Sequence, residues 1–456
     1  MKDNQWFIHK KDQILKEKFL LNFNPKSINS LAKEAGYSIR KSKLDGFGFL
    51  LSLMFSYQRG KDFSLLDMAS FLFQEFGINI TKQSLHDRFA SPAVDFLKKC
   101  LDCLLTQKIS YSGEKQALKT HFNRIRIKDS TKFALPDSFS AKYKGYGGAL
   151  HHSSSMISIQ YEYDFLSGKS LDLRLTSGVM NDQSDSADFT HDIQENDLFL
   201  RDMGYCTLRF LSKIHSAKAY FLNRLTPQVN IYLERNSKDP VEINSYLKQL
   251  KKDKLEYLEV YVFLGKKERV PVRLVVSLAD ETAYEKRLRK TSKQAKSTGN
   301  KVSDKFKARA RLNIMVTNVP AEILKGKDIR KVYSLRRQIE LIFKTWKSLV
   351  TIDEINTKKI HRFECQLYGK LIWIILNLTI FNWLQNQVLQ KNNVLCSVWK
   401  YFRLIQNISD HLINALKSHK ELIILLDQLK EFTPKILYLE RKKGKLALNE
   451  ILTTLT

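Results

Sequence analysis

Apolar and polar positions divide the chain into a helical region, an alternating region and a second helical region. Residues 1 to about 110 have the apolar spacing of amphipathic helices, and from about residue 122 the period shortens to the alternation of strands. Residues 329–350 and 362–430 return to helical spacing. The alternating region predicts strands at 124–129, 156–165, 170–175, 198–202, 219–225, 229–233, 256–264, 270–279 and 312–316, with helices at 185–193 and 206–215. This order predicts a mixed α/β fold with helical ends.

One segment of the first region has the pattern of two helices joined by a tight turn. Apolar residues from Leu65 to Phe73 form the buried face of the first predicted helix, and the turn begins at Gly77. The second helix, 81–89, carries the polar side chains Lys82, Gln83, Ser84, His86 and Arg88. A helix-turn-helix that enters a major groove and a plain αα-hairpin both fit this pattern.

Charge narrows the class of partner. Lysine and arginine number 76 against 47 aspartates and glutamates, which gives a formal net charge of +29 and favours nucleic acid or an acidic membrane surface. The longest apolar run, 371–383, is shorter than the ~20 residues of a membrane span, and the first residues lack the apolar segment of a signal peptide. We therefore expect a buried core helix at 371–383, no membrane contact and a nucleic-acid partner in the cytoplasm.

Cysteine usage fits a reducing compartment. The five cysteines are scattered and odd in number, which does not suit a disulfide framework. Cys100 and Cys103 form a C-x-x-C inside an apolar helical pattern, without a second pair at zinc-ribbon spacing. The pattern therefore favours two core thiols.

A basic stretch precedes the last predicted strand. In 286–311 the only acid is Asp304, among eleven cationic side chains. Such a run is often a solvated face or loop, but together with the net charge it predicts contact with DNA phosphates.

Two aspartates lie on the buried parity of predicted strands. Asp129 is in phase with Ile125 and Ile127 at the end of the first strand, and Asp202 ends the 198–202 strand. Taken singly, each is better explained as a turn-forming residue. Taken together, acids at the ends of neighbouring strands can converge on one metal site.

A third acid lies on the polar flank of the predicted 329–350 helix. At 100° per residue, one wedge of about 80° contains a carboxylate, a phenol and three cations, opposite an apolar face. Ion pairs along the helix are one explanation. Cations outnumber the acid, however, so a polyphosphate partner would use the excess; the wedge holds Tyr333, Arg336, Glu340, Lys344 and Lys347.

These residues carry a resemblance to a known family. Tyr333-x2-Arg336-x3-Glu340-x6-Lys347 resembles the Y-R-E-K signature of bacterial insertion-sequence transposases of the D-D-E group, the insertion sequence four family. The segments 128–131 and 200–205, which contain Asp129 and Asp202, resemble the two aspartate motifs of that family. The three motifs occur in the family's order.

The resemblance implies an RNase H-like catalytic core with a β-rich insertion, flanked by helical N- and C-terminal regions. The corresponding regions are a helical DNA-binding domain at 1–110, the first part of the core at 111–226 and the insertion at 227–318. The second part of the core follows at 319–390, and a helical region that could dimerise at 391–456.

The resemblance also implies a mechanism. Asp129, Asp202 and Glu340 would bind two Mg²⁺ ions, for which Mn²⁺ can substitute, and water would cut the element end so that the freed 3′-OH joins target DNA. This is cut-and-paste transposition of double-stranded DNA, at terminal inverted repeats and a target site, by a homodimer. The DNA-contacting residues implied are Tyr333, Arg336, Lys347, Lys344 and Arg224.

Several alternatives remain open in the sequence. Asn313 occupies the place where some members use a tryptophan to hold a flipped base, so the hairpin step is undecided. A non-catalytic DNA-binding regulator derived from a transposase and a Mg²⁺-dependent DNA nuclease also fit the pattern. The C-terminal leucines could pair two protomers or pack within one chain; they are Leu412, Leu416, Leu422, Leu425, Leu426 and Leu429.

Overall fold

The fold is taken from a computed structural model of the chain. It describes residues 23–40, 42–55, 64–106, 121–147, 154–180, 192–205, 207–225, 229–297, 299, 301–392, 394–440 and 451. The N-terminal segment considered for a signal peptide and most of the helix predicted at 185–193 lie outside the described residues.

Nine strands form one mixed sheet in the order β3-β2-β1-β4-β5-β9-β8-β7-β6. Each predicted strand is present. The bounds are β1 Arg124–Ala134, β2 Met156–Asp164, β3 Ser170–Ser177, β4 Asp197–Arg201, β5 Tyr220–Arg224, β6 Ile231–Tyr232, β7 Tyr257–Leu264, β8 Val270–Leu278 and β9 Leu312–Thr317. The prediction of a mixed α/β fold is confirmed.

The sheet combines a parallel centre with antiparallel flanks. β1 pairs in parallel with β4, and β4 pairs in parallel with β5. β2 and β3 continue antiparallel from β1, while β9 pairs antiparallel with β5 and carries β8, β7 and β6 beyond it. The strands predicted for 227–318 therefore extend the same sheet.

Helices pack with the sheet in two apolar clusters. Their bounds are α1 Pro25–Glu34, α2 Gly46–Phe55, α3 Leu65–Phe76, α4 Lys82–His86, α5 Ser91–Thr106, α6 Leu208–Ser216, α7 Ile243–Lys252, α8 Glu281–Ser297, α9 Asp304–Ala310, α10 Ile329–Tyr333, α11 Arg337–Ser348, α12 Ile360–Asn392, α13 Val398–Asn407, α14 Ser409–Lys417 and α15 His419–Ile436. The basic stretch 286–311 thus forms parts of two helices, α8 and α9. Ser303 caps α9 by accepting from the backbone N–H of Phe306.

The long helix α12 is the centre of the main core. α2, α5 and α15 all pack against it, so the N-terminal helices share one apolar cluster with the sheet and the C-terminal helices. Within the described part of the chain α12 contains the one apolar stretch long enough to cross a membrane, and 89% of that stretch is buried inside the protein. This confirms the buried core helix predicted at 371–383.

The predicted two-helix segment is formed by α3 and α4. Ser64 and Asp67 make a capping box at the start of α3, and Gly77 ends it with φ 65°. The second helix is shorter than predicted and ends at His86. Its only buried side chain is Leu85, and its polar face is exposed.

The C-terminal leucines pack within the chain. All six lie in α14 and α15 and are buried in the core that α12 organises. Of the two alternatives, the structure therefore has the intramolecular one for these side chains. Cys100 is likewise a buried thiol and Cys103 is partly buried in α5, as the pattern favoured.

Candidate active site

The parallel pairing of β1 and β4 brings two aspartates side by side. The last pair in this register is Lys128 of β1 with Arg201 of β4. Asp129 follows Lys128, and Asp202 follows Arg201. The sequence placed Asp129 at the end of its strand, which is wrong: β1 continues to Ala134, paired with β2 alone. Asp129 instead marks the point at which β4 leaves β1.

The helix that carries the third acid is interrupted. The sequence predicted one helix over 329–350, but a 3-10 turn at Ser334–Arg336 separates α10 from α11. The apolar back is as predicted, with Val332, Leu335 and Trp346 fully buried. On the other side the carboxylate of Glu340 is 50% exposed.

Arg336 joins two of the three acids. Its Nη1 donates to Asp129 Oδ2 at 3.1 Å, and its Nη2 donates to Glu340 Oε1 at 2.5 Å. Asp129 Oδ1 accepts from the backbone N–H of Ser130 at 2.9 Å. The side chain of Arg336 is only 15% exposed, so this bridge is largely shielded from solvent.

The three carboxylates act on one another electrostatically. The pKa of Asp129 is raised to about 6, mainly by burial and in addition by the charges of Asp202 and Glu340, while the Ser130 N–H and the charge of Arg336 act to lower it. Burial acts to lower the pKa of the Arg336 guanidinium. Tyr333 and the three carboxylates outweigh this effect and raise that pKa above its usual value. Arg336 therefore carries its charge between Asp129 and Glu340 and within reach of the field of Asp202.

Tyr333 is placed differently from the prediction. The sequence put it on the polar flank, but its side chain is 7% exposed. Its hydroxyl donates to the carbonyl oxygen of Arg201 at 3.3 Å, and the guanidinium of Arg224 lies 5.7 Å from its ring centroid. The phenol can be buried here because its hydroxyl keeps a partner, next to Asp202.

The two lysines of the predicted DNA-binding set point to different places. Lys347 Nζ donates to the carbonyl oxygen of Lys132 at 3.2 Å and so lies against β1 beyond Asp129. Lys344 is exposed, with its ammonium 5.7 Å from the ring centroid of Trp399. The structure thus gathers Arg224, Tyr333 and Arg336 near the acids and leaves Lys344 on the outer surface.

A basic cavity adjoins the acids. Its volume is about 540 Å³, and seven cations line it: Arg224, Arg287, Lys290, Arg309, Arg330, Arg336 and Arg337. A second cavity of about 480 Å³ shares Arg330 and Arg337 and adds Lys327 and Lys331. Burial lowers the pKa of Arg287, and the neighbouring charges of Arg224 and Arg330 lower it further. Like charges held this close favour an anionic ligand.

Asn313 lines the same cavity from β9. Its Oδ1 accepts from Arg287 Nη2 at 2.6 Å, and its Nδ2 donates to the carbonyl oxygen of Leu278 at 3.1 Å. The lining also includes the aromatic side chains of Phe306 and Tyr333. The side-chain amide of Asn313 is therefore fixed by Arg287 on one side and by the backbone of β8 on the other.

Sequence reasoning missed a buried ion network behind Asp202. Glu162 of β2 accepts from Arg126 at 3.0 Å and from Arg201 at 3.1 Å, and all three side chains are at most 1% exposed. No local signal marked it, because Glu162 shares the polar parity of its strand with Ser158 and Gln160, and that parity is typical of a solvent-facing side. Arg330 and Arg337 were also missed, because the helical wheel placed them off the acidic wedge.

The donor set suits a hard divalent cation. Three carboxylates are the oxygen ligands that Mg²⁺ takes with water. Among the residues that the structure describes, however, no three acidic, histidine or cysteine side chains are already arranged around a metal position. Arg336 instead links Asp129 to Glu340.

Comparisons with known proteins give consistent matches. Residues 120–376 match the family described as Transposase DDE domain. The chain is 32% identical over 421 residues to the transposase for insertion sequence element IS231F of Bacillus thuringiensis subsp. israelensis, covering 89% of this chain and 87% of that relative. It is 31% identical over 452 residues to the transposase for IS231B of Bacillus thuringiensis subsp. berliner, covering 94% of each. A cryo-EM structure of a piggyBac transposase synaptic complex with hairpin DNA aligns with 95% of this chain and 87% of its own, with a TM-score of 0.46 and 12% identity.

Proposed function

We propose that this chain, which belongs to the transposase DDE domain family and is a DNA transposase, acts by cut-and-paste transposition. The predicted kinship with bacterial insertion-sequence transposases is confirmed by the same matches. In the proposed reaction, water hydrolyses the phosphodiester at the element end. The released 3′-OH then attacks a target phosphodiester, so that one bond forms as another breaks.

Asp129, Asp202 and Glu340 are the proposed catalytic and metal-binding residues. Enzymes of this family depend on divalent metal ions, and we assign two Mg²⁺ to these acids, with Mn²⁺ as a substitute. When bound, such ions supply Lewis acidity and lower the pKa of attacking water. The observation that carries this assignment is the placement of Asp129 and Asp202 as successors of the last paired residues of β1 and β4.

An RNase H-like core is the proposed scaffold. In the strand order β3-β2-β1-β4-β5, β2 is antiparallel to β1, β4 is parallel to β1, and β5 is parallel to β4. This arrangement supports the assignment. The pairing of β9 with β5 supports an insertion that returns to the core before Glu340. The proposed domain boundaries are those predicted from the sequence: 1–110, 111–226, 227–318, 319–390 and 391–456.

Double-stranded DNA, as terminal inverted repeats and target, is the proposed partner in the cytoplasm. The net charge of +29 and the basic cavity beside the acids support this choice. Tyr333, Arg336, Lys347, Arg224 and Lys344 are the proposed DNA-binding residues. A homodimer across two ends follows from the family resemblance.

The test is an assay with the full-length protein and labelled duplexes taken from the DNA flanking its gene. We expect cuts at the element ends and joined products with Mg²⁺. Asp129→Asn should bind the ends but lower the cutting rate on the order of 10³-fold, because several kcal/mol of transition-state stabilisation is lost. A gel shift measures binding, and denaturing gels measure cutting.

The matched control is Glu440→Gln, which removes a carboxylate paired with Lys400 at 2.7 Å on the C-terminal surface. This variant should cut at the wild-type rate. Normal strand transfer by Asp129→Asn would refute the catalytic assignment. Cutting without joining would favour the nuclease, and binding without cutting by the wild type would favour the regulator.

A further inference from the structure

Arg336 occupies the space between two proposed metal ligands. The residues it joins, Asp129 and Glu340, come from β1 and α11, and Arg336 and Asp129 are 207 positions apart in the chain. With the N–H of Ser130 on Oδ1, both oxygens of Asp129 already accept hydrogen bonds. The guanidinium engages one oxygen of each carboxylate, so a divalent ion held by Asp129 and Glu340 together would meet a fixed positive charge between its ligands.

The bridge is chemically suited to exchange. A guanidinium is always charged and makes paired hydrogen bonds to carboxylates and to phosphates alike. Arg336 also lines the basic cavity, where Arg224 and Arg337 are its neighbours in the lining. A phosphate that enters this cavity therefore meets the same side chain that holds the acids.

We propose that Arg336 is an internal counter-ion that competes with divalent metal ions for Asp129 and Glu340, and that the phosphate backbone of a DNA end releases the acids by taking its guanidinium. This inference rests on the proposed function. It makes metal ions and DNA bind cooperatively, since each removes an obstacle to the other. The acids are then loaded with metal mainly when an element end is present.

The test measures Mn²⁺ binding to the full-length protein, by calorimetry and by the EPR signal of free Mn²⁺. Without DNA, Arg336→Gln should bind Mn²⁺ on the order of tenfold more tightly than the wild type, within the usual range of such couplings. Arg336→Lys keeps the charge without the paired geometry and should fall between the two. Lys98→Gln, a cation change at an exposed ion pair with Asp95 on α5, should bind like the wild type.

The second arm adds a pre-cut end duplex that finishes in a dideoxynucleotide, so that no joining occurs. The duplex should tighten Mn²⁺ binding to the wild type severalfold and tighten binding to Arg336→Gln much less. Equal Mn²⁺ affinities for wild type, Arg336→Gln and Arg336→Lys would overturn the competition and leave the proposed function standing. Mn²⁺ binding that Asp129→Asn leaves unchanged would overturn both.

Discussion

At the scale of single residues, Glu162 shows how a charge can be kept in the core next to the acids. Burial would raise its pKa, but Arg201 and Arg126 hold the pKa of this carboxyl well below its usual range. Arg201 also contacts the rings of Phe199 and Phe210. The network therefore fixes the residue that immediately precedes Asp202.

Glu162→Gln should destabilise the protein by about 3–5 kcal/mol, because it leaves two buried guanidiniums without their shared carboxylate. Urea unfolding at neutral pH measures this. Asp304→Asn, which breaks an exposed pair with Lys307, is the control and should leave stability nearly unchanged. A loss as small as that of the control would contradict the role of the network.

The local patterns that singled out the three acids did not extend to the contacts around them. Alternation along a strand is local, so it revealed Asp129 and Asp202, and helical periodicity revealed Glu340. The contact of Arg336 with Asp129 spans most of the α/β region and has no local signature. The same holds for Glu162, because it lies on the polar parity of its strand and neither its burial nor its arginine partners has a local signature.

At the scale of elements, the β2–β3 turn docks on α12 through Gly168. Gly168 has φ 73°, and Asn382 Nδ2 donates to its carbonyl oxygen at 2.5 Å. A Cβ at this position would overlap the amide of Asn382. The turn therefore needs glycine for its conformation and for its contact.

Gly168→Ala should destabilise by about 1–3 kcal/mol more than Gly36→Ala. Both glycines have φ near 70°, so both substitutions strain the backbone, but a Cβ at Gly36 meets open space. Thermal or urea unfolding of the two variants gives the difference. Equal losses would show that the docking contributes nothing.

The loop between α11 and α12 is held by a buried ammonium. Lys370 Nζ donates to the carbonyl oxygens of Thr351 at 2.6 Å and Glu354 at 3.2 Å. Burial lowers the pKa of Lys370 to about 8, against the opposing charges of Glu354 and Asp353. Folding thus disfavours the charged form.

This shift predicts a pH dependence. The unfavourable contribution of Lys370 is complete below pH 8 and fades between about 8 and 10.5, because the unfolded chain binds more protons there. From pH 7 to pH 10 the stability of the wild type should therefore rise relative to Lys370→Met, by at most ~3 kcal/mol. Urea unfolding of both proteins at the two pH values measures the change. A constant difference would contradict the shift.

Element bounds were predictable where burial follows one period. The strands and the central helix were found in this way. The 3-10 turn at Ser334–Arg336 was not, because no proline or glycine marks it and the contacts of Tyr333 with Arg201 and Arg224 form only in the folded sheet. Ser303 did carry a capping signal for α9 that charge alone concealed.

At the scale of the whole molecule, the N-terminal helices belong to the common core. α2 and α5 cover faces of α12, so these two helices bury surface that the rest of the chain would otherwise expose. Periodicity showed that these faces were apolar but not which helix they met. The sequence predicted a helical N-terminal region, and the packing of α2 and α5 on α12 is what it did not show.

Deleting residues 1–106 should leave a protein that aggregates, because the apolar face of α12 becomes exposed. Size-exclusion chromatography and dye binding to apolar surface compare it with the full-length chain. A soluble, monodisperse product with unchanged circular dichroism per residue would show that the N-terminal helices are dispensable for the core.

Because β6 to β9 precede α11 in the chain, the three acids are synthesised at different times. Asp129 and Asp202 leave the ribosome long before α11, and the strands from β6 to β9 are made in between. A ribosome that stops anywhere in that interval releases a product with two acids and no third. On the proposed catalytic assignment, interrupted translation therefore yields fragments that cannot cut the element ends.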